Sequence, residues 1–246
     1  MKNPPELVCF FKQIKNNHMS AKSVNKIIVL FVFYFMMLFA PLVAKAGITL
    51  GGTRLVYDEN KKANSIDVLN NDSQDYLIQS WPDSGGGAKP DFIITPPLFK
   101  IKASSQRTLR VIYHGVGLPP DKESLFWLNV KAIPLTTEEG SSIQVAVKTR
   151  IKILFRPKKL KEMPEDEAKN LQWNLVGNKL TVINPTAYYM TFYSVTLHNV
   201  KIPGLSMVPP RSDYSVTLNK NDAHGDLVWK VINDYGASTQ AFSAKI

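Results

Sequence analysis

Past residue 46 the chain alternates apolar and polar positions in short runs, and turn residues end each run. Ile48 to Tyr57 reads as a strand, closed by the polar turn Asp58 to Ala63. Ser65 to Leu69, Tyr76 to Trp81, Phe92 to Thr95, Gln106 to Tyr113 and Ser124 to Ile133 follow, separated by Asn-Asp-Ser, Gly-rich and Pro-rich breaks. After Arg156-Pro157 comes a charged stretch, Lys158 to Lys169, which predicts a linker with one helical turn over Glu165 to Asn170. Strands are expected again at Gln172 to Leu175, Lys179 to Asn184, Thr191 to Leu197, Ser215 to Leu218 and Asp226 to Ile232. Many short strands with almost no helical period predict an all-β chain: a β-sandwich of immunoglobulin type over residues 47–160 and a second, smaller β-sandwich over 161–246.

One run is unlike the others. Ile143, Val145, Val147, Thr149, Ile151, Ile153 and Phe155 line one face; Gln144, Ala146, Lys148, Arg150, Lys152, Leu154 and Arg156 line the other. A continuous strand from Ile143 to Phe155 would span 13 residues, beyond the usual length of a sandwich strand. Its first half should project past its own sheet with Ile143, Val145 and Val147 exposed. Such a stripe either packs internally or completes another protein's sheet, main chain to main chain.

The first 46 residues have a different pattern. Lys22 and Lys26 precede the apolar run Ile27 to Val43, which ends at Ala44-Lys45-Ala46. That order of basic, apolar and small residues predicts a secretory signal peptide cleaved after Ala46, with Met1 or Met19 as the start; a membrane anchor is the alternative. Such a leader predicts export. The leader holds six Lys and one Glu, so the formal charge falls from +10 for the chain to 24 basic against 19 acidic residues beyond it. That modest and scattered excess argues against nucleic acid as a partner.

Candidate chemistry is sparse. The single cysteine, Cys9, lies in the leader, and His114, His198 and His224 lack metal-site spacing. No phosphate loop, zinc-protease helix or nucleophile elbow is present, so neither an enzyme nor a cofactor is expected. Trp81, Trp127, Trp173 and Trp229 fall at strand positions that suit a core better than a carbohydrate platform.

The chain resembles the periplasmic pilus chaperones of the chaperone–usher pathway. The residues that carry this are Thr53-Arg54-Leu55-Val56-Tyr57-Asp58, Ile94-Thr95-Pro96-Pro97, Lys122 to Asn129, Ile133-Pro134, Thr149 to Pro157 and Ile232-Asn233-Asp234-Tyr235-Gly236. The resemblance implies two immunoglobulin-like domains set in an L, with a pilus subunit bound in and along the cleft. It implies that Arg54 and Lys152 anchor the subunit's C-terminal carboxylate. It implies that Ile143, Val145 and Val147 are donated to a subunit domain lacking its last strand, and that Glu123, Arg156 and Asp234 form an interdomain ion-pair network. The implied compartment is the periplasm of a Gram-negative cell, and the expected partners are pilus subunits and an outer-membrane usher, with self-association open to the free chain. Only Leu135 to Ser142 precedes Ile143, which fits the short-loop branch; Thr95-Pro96 is cis in relatives, and the run Gly85 to Gly87 departs from the pattern. A pilus subunit, an adhesin or a carbohydrate-binding module is the alternative.

Overall fold

The structure is a computed structural model that describes residues 30–34, 47–86, 91–135, 144–161, 163–218 and 225–246. The chain divides into two compact units, residues 1–44 and 45–246. In the first, residues 30–34 are helical, and among the described residues no helix is long and apolar enough to cross a membrane. The expected cleavage site at Ala46 lies outside the described residues.

The second unit is built almost wholly of strands. Its first part holds β1 (Ile48–Leu50), β2 (Arg54–Asp58), β3 (Asn64–Asn70), β4 (Tyr76–Asp83), β5 (Phe92–Thr95), β6 (Leu98–Ile101), β7 (Gln106–Tyr113), β8 (Ser124–Pro134) and β9 (Val147–Arg156). These form a four-stranded sheet in the order β1-β3-β7-β5 and a five-stranded sheet in the order β2-β9-β8-β4-β6. Alternate residues from both sheets, among them Val68, Leu109, Ile78, Leu128 and Ile153, meet in one core. Tyr57, Phe92, Tyr113 and Phe155 close one end of it as a cluster of tilted and stacked rings.

Two expectations about strands need correction. Ile48 to Tyr57 is not one strand: the chain breaks at Gly51-Gly52-Thr53, leaves the four-stranded sheet after Leu50 and joins the other sheet at Arg54. Residues without a side chain let the backbone cross between sheets, and the Gly51 amide donates to the Asp67 carbonyl at 2.8 Å on the way. The long alternating run is also shorter than its pattern, since β9 begins at Val147, opposite Ala132. The next partners on β8 would be Ile133 and Pro134, and a prolyl nitrogen has no proton to donate. Gln144 to Ala146 therefore carry no strand, and Ile143 lies outside the described residues.

The second part follows a short helical turn, Pro164–Glu167, which has its proline in the first turn where a missing amide proton costs nothing. The 3₁₀ turn Ala168–Asn170 comes next, and Ala168 is fully buried with its carbonyl accepting from Trp229 Nε1 at 3.1 Å. The predicted linker thus ends as part of the second core. That core lies between a sheet of β10 (Gln172–Val176), β11 (Lys179–Asn184) and β15 (Ser212–Thr217) and a sheet of β12 (Met190–Leu197), β13 (Val200–Lys201), β14 (Met207–Val208), β16 (Asp226–Val231) and β17 (Phe242–Lys245). Leu180, Leu227, Trp229 and Val208 are at its centre. Of the four tryptophans only Trp229 is fully core; Trp81, Trp127 and Trp173 are half-buried.

Candidate functional site

β2 and β9 run parallel, and their register sets Arg54 beside Lys152, Val56 beside Leu154 and Asp58 beside Arg156. Because a strand has a period of two, all six point away from the first core. Leu154 is nonetheless buried, and it belongs to neither core. The second domain covers this face. Arg54 Nη1 donates to the Ile232 carbonyl at 3.0 Å, and Lys152 Nζ lies 3.4 Å from Thr191 Oγ1. The seam therefore places two cations against β12 and the end of β16.

Neither cation is ion-paired among the described residues, and Arg54 Nε is buried with no partner at all. Burial pushes the Arg54 guanidinium below its ordinary pKa, and the charges of Asp234 and Glu123 offset only part of that. Lys152 is lowered as well, first by burial and then by repulsion from Arg54. Two half-buried positive groups set side by side are stabilised by an anion placed between them. A carboxylate fits best, because charge-assisted hydrogen bonds from both cations reach its two oxygens.

The acids of the seam are already engaged. Arg156 donates through Nε to Glu123 Oε1 at 2.9 Å and through Nη1 and Nη2 to the two Asp234 oxygens at 2.6 and 2.8 Å. The other oxygen of Glu123 accepts from the Tyr189 amide at 2.8 Å, and the Glu123 amide donates to the Ala187 carbonyl at 2.9 Å. Glu123 is fully buried; burial pushes its carboxyl up, against the opposing pull of Arg156 and the Tyr189 amide. Burial also works against the charge of Arg156, but bonds to Asp234 and the charge of Glu123 outweigh it and raise its pKa. Two arginine contacts and an amide on one carboxylate offset the cost of burying it. Glu123, Arg156 and Asp234, which the resemblance named, are thus linked through Arg156 from the first domain to the second.

Beyond Lys152 the lane beside β9 is open. β2 flanks β9 only from Lys152 to Arg156; from Val147 to Ile151, β9 has β8 on one side and no strand on the other among the described residues. That edge offers main-chain donors and acceptors to an added strand. Along the apolar stripe, exposure falls from 70 % at Val145, just ahead of β9, and 59 % at Val147 to 6 % at Ile151 and zero at Ile153. The stripe is core at one end and bare at the other. The described residues contain no cluster of His, Cys, Asp or Glu able to hold a metal.

Two family models match this chain. Residues 47–161 match the "Pili and flagellar-assembly chaperone, PapD N-terminal domain", and residues 166–243 match the "Pili assembly chaperone PapD, C-terminal domain". The chain belongs to the PapD-like pilus-assembly chaperones. The chaperone protein FimC of Escherichia coli K12 is 39 % identical over 214 residues, which cover 85 % of this chain and 88 % of the relative. Among solved structures, the SafB chaperone in complex with SafA pilin from Salmonella enterica aligns with a TM-score of 0.76 at 36 % identity, covering 83 % of this chain and 99 % of that one. The periplasmic chaperone SfaE aligns at 0.69 and 40 % identity, covering 80 % and 98 %.

Residues that sequence reasoning passed over complete this chaperone's seam. Thr191 and the Ile232 carbonyl are the second domain's contacts to the two cations. Gly236, with φ of 85°, approaches Thr53 so closely that a Cβ would stand 2.6 Å from Thr53 Oγ1. In the sequence, the segment Ile232 to Gly236 carries only the family resemblance, and nothing local in it says which strand it faces. The Arg150 guanidinium carbon stands over the Trp127 ring, 4.2 Å from its centroid, and Arg150 pairs with Asp83 at 2.7 Å, so Trp127 has a partner outside the core. Thr95-Pro96 is cis. Gly85 has φ of 76° and packs against Trp127, so a glycine suits that point of the departing run.

Proposed function

We propose that this protein is a periplasmic chaperone that holds a pilus subunit by its C-terminal carboxylate at Arg54 and Lys152 while lending it the exposed stripe of β9. The observation that carries the reading is the open lane beside Val147 to Ile151, which ends at two cations with no acid of their own. The geometry also gives a direction. A strand whose carboxylate sits at Lys152 and whose body lies toward Val147 runs the same way as β9, so it pairs in parallel and meets β2 end to end. Val145 and Val147, with Ile143 ahead of them, then fill gaps in the subunit's core, each worth roughly 1.5–3 kcal/mol when fully buried. Glu123, Arg156 and Asp234 hold the two domains, 47–160 and 161–246, at the angle the cleft requires. Residues 1–46 direct export and are removed, and the loaded chaperone passes its subunit to an outer-membrane usher, in the manner of the short-loop branch.

The test is a peptide copied from a subunit's C-terminal strand, with either a free carboxylate or an amide end. Calorimetry should give binding of the free acid and a loss of at least tenfold on amidation, since each charge-assisted bond contributes about 1.5–3 kcal/mol. Equal affinity for acid and amide would refute the anchor.

A further inference from the structure

Another interdomain contact lies on the surface, apart from the Arg156 network and the two cations. Arg211 of the second domain pairs with the Asp121 carboxylate of the first, and its Nη2 donates to the Asp121 carbonyl at 3.0 Å. Both side chains are about half exposed, at 49 % and 50 %. Arg211 stands in the turn between β14 and β15 with φ of 53°, where glycine or asparagine is the ordinary residue. A strained backbone at an arginine suggests that its side chain has a task there.

The main chain of Arg211 shows what that task acts on. Its amide donates to the Thr186 carbonyl at 3.1 Å, in the loop between β11 and β12. Buried Asn184 braces this loop: its Nδ2 donates to the carbonyls of Tyr188 and Pro209, each at 2.8 Å, while its Oδ1 accepts from the Thr186 amide and hydroxyl. The first domain therefore grips one stiff loop at two points, through Glu123 at Ala187 and Tyr189 and through Asp121 by way of Arg211. Two residues beyond Tyr189 the same chain presents Thr191 to Lys152.

We propose that Arg211 is a positioning residue for the anchor: through Asp121 it holds the 184–189 loop, and with it Thr191, where a carboxylate at Arg54 and Lys152 needs the second wall of the cleft. The proposal rests on the carboxylate-anchor reading. The buried network fixes one side of the seam, and this exposed clasp limits rotation about it. Being exposed, the clasp weakens as salt rises.

The experiment places spin labels on Arg107→Cys and Lys201→Cys in the chain carrying Cys9→Ser, and reads the interdomain distance with no ligand bound. Arg211→Ala and Asp121→Asn should each broaden that distribution and weaken the free-acid peptide about five- to tenfold, with each domain's thermal transition unmoved. The reversed pair Asp121→Arg with Arg211→Asp should recover both readouts to within about twofold. Lys100→Ala, which removes the exposed Lys100–Asp75 pair within the first domain, should change neither. An unchanged distribution in Arg211→Ala at low salt overturns the proposal, as does a reversed pair that recovers nothing. A broadened distribution with unchanged binding overturns it too. In that case Arg54→Ala separates the two readings: lost binding there leaves the anchor standing, and retained binding removes both.

Discussion

Arg156 and Arg54 stand on neighbouring parallel strands, face the same seam and are both largely withdrawn from water, yet their surroundings differ. Arg156 spends its guanidinium on Glu123 and both oxygens of Asp234. Arg54 has one backbone carbonyl and a buried nitrogen with no partner. The first arginine completes the fold, and the second, with Lys152, leaves it incomplete. On the proposed reading both are needed: acids consumed by a structural cation leave the remaining cations open to an incoming anion.

Substitution should separate the two arginines. Arg156→Ala abandons a buried carboxylate and should cost about 3–5 kcal/mol in denaturant unfolding. A loss under about 1 kcal/mol would mean that the network is not what joins the domains. Arg54→Ala should leave stability within about 1 kcal/mol or raise it, because an uncompensated cation leaves the seam. The same variant should weaken the free-acid peptide at least tenfold and the amidated peptide little.

The pH dependence sharpens the contrast. Lys152 has a lowered pKa when folded, so burial of its charge opposes folding below that value. The penalty is relieved as pH rises toward the ordinary lysine range, since the unfolded chain there binds the extra proton. Stability from this group therefore rises with alkaline pH while carboxylate binding falls, as the free lysine loses the charge that binds. Lys152→Arg should move the loss of binding to higher pH, measured by peptide titration from neutral to alkaline buffer; an unmoved profile would assign it elsewhere. The smallest change in stability belongs to the bare end of the stripe. Val147→Asp should unfold within about 0.5 kcal/mol of the parent, whereas Ile151→Ala, on the same face, should cost about 2–5 kcal/mol. Subunit capture should nonetheless fail in Val147→Asp.

Alternation made the two faces of β9 legible from the residues alone, and turn residues announced nearly every strand before Arg156. The end of β9 was not legible, because it depends on Pro134 of a partner strand rather than on any residue of the stripe. The Gly51-Gly52 crossing was equally hidden, although it is what carries Arg54 into the sheet beside Lys152. Leu154, on the face opposite the apolar stripe, is buried although it belongs to neither core.

The sequence by itself determined the all-β class, the apolar and basic faces of the long strand, and, through the family motifs, the residues to watch. These depend on periods of two and on turn chemistry, which are local. Only the tertiary structure decided which cations are paired and which are open, where β9 runs out of neighbours, and that Thr191, Gly236 and Arg211 belong to the seam. Those outcomes depend on register between distant strands and on two domains meeting, and no spacing along the chain encodes either.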